Sequence, residues 1–167
     1  MIYYTISLTP IGQMILAVQN DKIVGLAFGE ESQVAQILTN LFKNEETTRN
    51  DKELIPYVQK VLNHQITTND IIQEGTPFQK AVWEKLCQIP KGTTLSYSDL
   101  AYQIGRPQAV RAVANAVARN NISLLIPCHR VIAKGGKLGG YRWGISFKRK
   151  LLEIEAKSVS NLSSVCF

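Results

Sequence analysis

The first 28 residues run apolar in three short blocks separated by turn formers. Ile2-Tyr3-Tyr4-Thr5-Ile6, Met14-Ile15-Leu16-Ala17-Val18 and Ile23-Val24-Gly25-Leu26-Ala27 are rich in β-branched and aromatic residues, and Pro10-Ile11-Gly12 and Asn20-Asp21 lie between them. This predicts three strands joined by two antiparallel hairpins. The period then changes. Val34, Ile37, Leu38 and Leu41 recur at helical spacing and predict an amphipathic helix over about 31–42. The polar run from Asn44 to Lys52 reads as a loop, and Leu54, Val58, Val61 and Leu62 predict a second short helix.

A new pattern opens at Gly75-Thr76-Pro77. Thr76 is placed to cap a helix whose first residue is Pro77, where a missing N–H costs nothing, with Phe78, Val82 and Leu86 on one face and Pro90-Lys91-Gly92 as the stop. Ser96 or Ser98 then caps a short helix through Ile104, which Gly105 ends. Beyond Pro107, the stretch Gln108 to Arg119 predicts an alanine-rich helix with Ala109, Ala112, Val113, Ala116 and Val117 as its apolar positions. Two short helices joined by Gly105-Arg106-Pro107 read as a helix-turn-helix. A short apolar run, Ile122 to Ile126, leads to Cys128, Gly135-Gly136 and Gly139-Gly140 mark a loop, and Ser146 is placed to cap a last helix over 147–156. The fold class is α+β. Residues 1–72 form a strand-rich lobe, 73–157 a helical domain with the helix-turn-helix, and 158–167 a flexible, Ser-rich tail.

Composition narrows the functional classes. At 167 residues with 45% hydrophobic and 19% charged positions, the chain can bury a core and is not of disordered composition. A net charge of +6 and a pI near 9.3 favour an anionic partner such as nucleic acid. Cys87, Cys128 and Cys166 are too scattered for a disulfide framework, and His64 and His129 complete no metal-ligand spacing, so no metal site is expected. Reduced thiols, no signal-peptide pattern and no apolar run near the ~20 residues of a membrane span set the expectation of a cytoplasmic protein, or a nuclear one in a eukaryote, without membrane contact.

The sharpest chemistry lies in Ile126-Pro127-Cys128-His129-Arg130-Val131. A thiolate is the attacking form of cysteine, and neighbouring basic groups favour it. Adjacency alone proves no Cys–His dyad, because an extended backbone points neighbours to opposite sides. Leu151, Leu152 and Glu155 share a face of the last helix, so inward leucines carry Glu155 inward, and a buried carboxylate needs a partner. His129 is one candidate, giving a Cys–His–Glu relay; an arginine is the other. Arg111 sits on an alanine-rich helix whose small residues permit close approach to a DNA minor groove, against the commoner fate of a solvated charge. Tyr97 and Tyr141 either stack on a base, donate a phenolic hydrogen bond or belong to the core. Asn120-Asn121 reads as a helix C-cap. Cys87, Cys166 and His64 receive no role.

From Gly75 to Glu155 the chain closely resembles the O6-alkylguanine-DNA alkyltransferases. The likeness lies in Gly75-Thr76-Pro77-Phe78-Gln79, Val82-Trp83, Ile89-Pro90-Lys91-Gly92, Ser96-Tyr97, Ile104-Gly105, Arg111-Ala112-Val113, Ile126-Pro127-Cys128-His129-Arg130-Val131-Ile132 and Gly140-Tyr141. Residues 1–70 resemble the family's ribonuclease-H-like lobe only in their strand-rich layout. The resemblance implies irreversible transfer of a small alkyl group from O6-alkylguanine, or O4-alkylthymine, in duplex DNA to the protein's own cysteine, without a cofactor. It implies Cys128 as acceptor, His129 as a water-linked base, Glu155 as the carboxylate orienting it, and Asn120 as a brace of the active-site turn.

It further implies that Tyr97, Val131, Tyr141, Arg142 and Trp143 surround the base, with backbone carbonyls of Cys128 and Val131 accepting the guanine amino group. Arg111, Ala112, Arg119 and Arg130 are expected to contact DNA, with Arg111 filling the gap left by a flipped nucleotide in the minor groove, and the protein is expected to act as a monomer. Asn121 departs from the proline many members carry there, Trp143 is expected to exclude bulky adducts, and the zinc ligands some members carry near the N-terminus are missing. The alternatives are a DNA-lesion-binding or helix-turn-helix regulatory protein without chemistry, against which Cys128 argues, and a cysteine hydrolase, which lacks an evident oxyanion motif.

Overall fold

The computed structural model describes residues 1–158, in two compact units. The expectations for Cys166 and for the tail after Ser158 lie outside the described residues. The first unit comprises Met1–Gln73 together with Asn121–Leu125. Its strands β1 (Ile2–Thr9), β2 (Gly12–Gln19) and β3 (Lys22–Phe28) are the three apolar blocks, paired antiparallel in sequence. The β2–β3 turn holds Asn20 and Asp21 at φ of 50° and 60°, the left-handed pair that a two-residue hairpin turn demands and that these two residues tolerate best. Met14 to Val18 are all buried, as in a strand covered on both faces. Helix α1 (Val34–Phe42) buries Val34, Ile37, Leu38, Leu41 and Phe42, a single stripe.

Two features of this unit depart from the sequence reading. The polar run after α1 contains a short strand, β4 (Thr47–Arg49), parallel to β1, so the sheet order is β3-β2-β1-β4. Helix α2 (Asp51–Leu62) follows at once, capped by the Asn50 side chain, which accepts from the Glu53 amide at 3.3 Å. Then Asn121, read as part of a helix C-cap, and 122–125, most of the Ile122 to Ile126 run read as a lead-in to Cys128, join this unit instead. The Leu26 amide donates to the Asn121 carbonyl at 2.8 Å, and the Ser123 amide donates to the Leu26 carbonyl at 2.9 Å. Ile122 and Leu125 are fully buried, so this run belongs to the core.

The second unit comprises Glu74–Asn120 and the chain from Ile126 onward. Helix α3 (Pro77–Cys87) starts with a complete capping box: the Gln79 amide donates to Thr76 Oγ1, and the Thr76 amide donates to Gln79 Oε1. Strand β5 (Leu95–Ser96) leads into helix α4 (Tyr97–Gln103), and Ser96 caps it by accepting from the Asp99 amide at 3.0 Å. Helix α5 (Val110–Ala118) is slightly shorter than expected; Val113, Ala116 and Val117 face inward, while Arg111, Ala112 and Arg119 lie on its exposed side. Trp83 Nε1 donates to the Ala116 carbonyl at 2.9 Å and locks α3 to α5.

Strand β6 (Val131–Ile132) pairs with β5, placing Val131 opposite Leu95 and Ser96 opposite Ile132. Helix α6 (Ile145–Ser158) starts two residues earlier than expected, so Ser146 lies inside it and is not its cap. Its buried positions are Lys148, Leu151 and Glu155, one stripe at i, i+3 and i+7, whereas Leu152 is only half-buried.

Candidate active site

Residues Cys128–Arg130 form one turn of 3-10 helix after Pro127, closed by the Arg130 amide donating to the Pro127 carbonyl at 3.1 Å. With three residues per turn, consecutive side chains point roughly 120° apart. The turn therefore sends Cys128, His129 and Arg130 in three directions. Cys128 is 6% exposed and His129 0%.

The buried side is organised around Glu155. His129 Nε2 lies 2.7 Å from Glu155 Oε1. Arg130 Nη2 donates to Oε1 at 2.8 Å, its Nε donates to Oε2 at 3.1 Å, and its Nη1 donates to the Ile89 carbonyl at 2.8 Å. Both candidate partners for Glu155, the histidine and an arginine, are engaged at once. Burial alone would raise the Glu155 carboxyl, but the hydrogen bonds and charges of His129 and Arg130 outweigh it and bring the pKa down to about 2. The carboxylate is ionised, so Nε2 carries the imidazole proton and donates it. Burial pushes His129 below its ordinary value; Glu155 opposes this, and the Arg130 and Lys148 charges assist it. Burial is the largest of these influences and favours the neutral imidazole, which, with Nε2 donating to Glu155, has its lone pair on Nδ1. That atom is buried and has no hydrogen-bond partner among the described residues.

Arg130 is the correction here. It was expected at the DNA surface, but its guanidinium is buried and spent on Glu155 and the Ile89 carbonyl. Exposing it would strand a buried carboxylate, a loss of several kcal/mol.

Cys128 has a different set of neighbours. Tyr97, Arg142 and Lys148 all respond to its charge. Burial raises the Tyr97 phenol, and the Cys128 charge raises it further. Burial lowers Arg142, and the Cys128 charge opposes the change. A thiolate formed here lies in the field of two cations, which favours it. The β5–β6 pairing explains the placement of Tyr97: it follows Ser96, whose partner Ile132 lies just beyond the turn. Asn120 Nδ2 donates to the Ile126 carbonyl at 2.7 Å, tying the end of α5 to the chain two residues before Cys128. Arg142 stacks its guanidinium 4.7 Å from the Trp143 ring centroid. Tyr141 is half-buried in the glycine-rich loop.

Arg111, Ala112 and Arg119 belong to a different surface, the exposed side of α5, and take no part in the buried network. Sequence reasoning missed Lys148 altogether. The signal was there: Lys148 lies three residues before Leu151 and seven before Glu155, on the stripe already taken to face inward.

The family model for the DNA-binding domain of 6-O-methylguanine DNA methyltransferase matches residues 77–157. A methylated-DNA–protein-cysteine methyltransferase of Methanosarcina barkeri is 37% identical over 159 residues, spanning 94% of this chain and 99% of that protein. The chain belongs to the methylated-DNA–protein-cysteine methyltransferases. Another of these methyltransferases, the constitutive one of Bacillus subtilis, is 39% identical over 156 residues, covering 92% of this chain and 94% of its own. Among solved structures, Mycobacterium tuberculosis OGT in complex with DNA aligns with a TM-score of 0.73 at 34% identity, over 93% of each chain.

Proposed function

We propose that this methyltransferase repairs DNA by moving the methyl group of O6-methylguanine onto its own Cys128, once per molecule. The observation that carries the assignment is the Cys128-His129-Arg130 turn with Glu155 behind it: a nucleophile and a neutral, oriented base on one turn. The thiol proton passes to His129 Nδ1, directly or through one water, and Glu155 stabilises the imidazolium that forms. The sulfur attacks the methyl carbon, an S–C bond forms as the C–O6 bond breaks, and the electron pair stays with guanine. The proton returns to the guanine, so the net change is thiol plus O6-methylguanine to S-methylcysteine plus guanine. Returning the methyl group would require a neutral thioether to expel a thiolate, which does not happen at neutral pH, so the protein is its own stoichiometric reagent.

A methyl group inside a duplex is out of reach, so the damaged nucleotide is extruded, at a cost of a few kcal/mol. The exposure of Arg111 and Ala112 on α5 supports that step: Arg111 enters the minor groove and occupies the gap, and Ala112 lets the helix lie close. Arg119 adds a phosphate contact. Such contacts carry no sequence information, which suits lesions scattered at random. Tyr97 donates a hydrogen bond to the departing base, the Val131 carbonyl accepts its amino group, and Tyr141, Arg142 and Trp143 close the loop side. The protein works as a monomer, in a compartment that keeps Cys128 reduced, the cytoplasm or nucleus.

The test is mass spectrometry after incubation with an O6-methylguanine duplex. A permanent gain of one CH2 on the Cys128 peptide is the expected result; unmodified protein that still binds the duplex would make it a lesion-binding protein instead.

A further inference from the structure

We propose that Lys148 is a positioning residue for methyl transfer, whose buried ammonium clamps the carbonyl oxygens of Val131 and Gly140 and so fixes the rim of the base pocket. The inference rests on the methyl-transfer reading above. Lys148 projects from α6 and is fully buried. Its Nζ donates to the Val131 carbonyl at 2.6 Å and to the Gly140 carbonyl at 3.1 Å, and it lies 6.0 Å from the Tyr97 ring centroid. Three pieces of the site meet at this one nitrogen: the strand that leaves the cysteine turn, the loop that carries Tyr141, and the first residue of α4.

The loop is held from the other side too. Gly139 has a φ of +70°, and a Cβ there would stand 3.5 Å from Tyr97 Cε2 and 3.4 Å from the Ala133 amide nitrogen. Loop and tyrosine are therefore packed against each other, and Lys148 pins both to β6. A carbonyl oxygen has two lone pairs. Lys148 takes one on Val131, and the methyl-transfer reading assigns the other to the guanine amino group.

Stability alone gives no reason for a charge at this position. Both hydrogen-bond acceptors of Lys148 are neutral carbonyls rather than carboxylates, so no opposite charge bonded to it offsets the desolvation of its ammonium. Burial brings the Lys148 pKa down to about 8, with the Cys128 charge opposing the change. The titratable groups facing it are Cys128 and His129 on the turn and Tyr97 on α4. Burial moves His129 down and Tyr97 up, both away from this range. As pH rises through about 8 the clamp loses its charge, and charge-assisted bonds become ordinary ones.

Two measurements test this. The first is the rate of methyl uptake from an O6-methylguanine duplex by wild type and Lys148→Met, between about pH 6.5 and 9.5. A misplaced pocket rim is expected to slow Lys148→Met at least about tenfold at neutral pH, and an alkaline decline expected of wild type near pH 8 should be missing from the variant. A Lys148→Met protein with wild-type rate and wild-type pH profile overturns the proposal. The second is a backbone amide NMR titration of DNA-free Cys128→Ala, in which the thiol no longer titrates. The Gly140 and Tyr141 amides are expected to shift as the Lys148 ammonium loses its proton, and amides that stay flat from about pH 6.5 up to the ordinary lysine value of about 10.4 overturn the clamp even if Lys148→Met fails to fold. If wild type takes up no methyl group at any pH, the methyl-transfer reading falls, and the NMR titration alone decides the clamp.

Discussion

Replacing Glu155 by Gln removes the charge that organises the buried half of the site while keeping the size of the side chain. In the folded protein the carboxyl is lowered from 4.5 to about 2, which corresponds to about 3 kcal/mol of stability at neutral pH. The side chain is only 6% exposed, so solvent screening does little to reduce that figure. Breaking a buried ion pair by removing one partner costs ~3–5 kcal/mol in general, which agrees. The sign of the pH dependence follows from the downward shift. The contribution is complete above the unfolded value of 4.5 and disappears as pH falls towards about 2. The gap between wild type and Glu155→Gln should therefore shrink by ~1 kcal/mol between pH 7 and about 3.5. Urea unfolding followed by tryptophan fluorescence is well suited, since Trp83 and Trp143, the two tryptophans of the chain, both lie in the second unit. A gap below about 1 kcal/mol at pH 7, or one that does not change with pH, would refute the ion-pair account. Methyl uptake should fall in parallel, because Gln fixes neither the charge nor the tautomer of His129.

Cys128→Ala should abolish methyl uptake and leave duplex affinity within about twofold in a fluorescence anisotropy titration, since a side chain this small and buried adds little to a phosphate-dominated interface; a large loss of affinity would make the cysteine structural. Arg111→Ala should slow reaction with a duplex by about tenfold or more while leaving reaction with free O6-methylguanine base unchanged, because only the duplex requires extrusion; equal losses with both substrates would argue against a wedge. If Trp143 limits pocket volume, O6-methylguanine should react faster than O6-benzylguanine in the same duplex, and Trp143→Ala should narrow the ratio. Equal rates in wild type would dismiss that role.

What the sequence disclosed and what it hid divide along a physical line. Local signals were reliable: Thr76-Pro77 with Gln79 specified both the start of α3 and its capping box, and Asn20-Asp21 specified a hairpin turn. Apolar periodicity located α1, α2 and α5 to within a few residues. Pairings with distant chain were not visible. Thr47-Thr48-Arg49 has no apolar alternation, and it is a strand only because β1 offers an unpaired edge more than forty residues earlier. The run Ile122 to Ile126 is recognisably apolar, but nothing local shows that the Asn121 carbonyl and the Ser123 amide pair with Leu26. Arg130 was misassigned for a related reason: a motif gives residue order, and the direction of each side chain is decided by the turn.

That turn explains how one short motif serves two electrostatic tasks. Were Cys128 to Arg130 extended, Cys128 and Arg130 would share a side, and a guanidinium engaged with the sulfur would be lost to Glu155. In a regular α-helix the three side chains would still fan out, but the chain could not leave at Val131 to pair with β5. The 3-10 turn satisfies both requirements. It points Arg130 at Glu155, beside the His129 imidazole that burial disposes to be neutral, and it turns the sulfur towards Arg142 and Tyr97, with the Lys148 charge felt by Cys128 and His129 alike. Base and nucleophile need opposite environments: one must avoid a proton before the reaction, and the other must be able to carry a negative charge. Opposing those environments across a single turn is what lets neighbouring residues take the two roles without quenching each other.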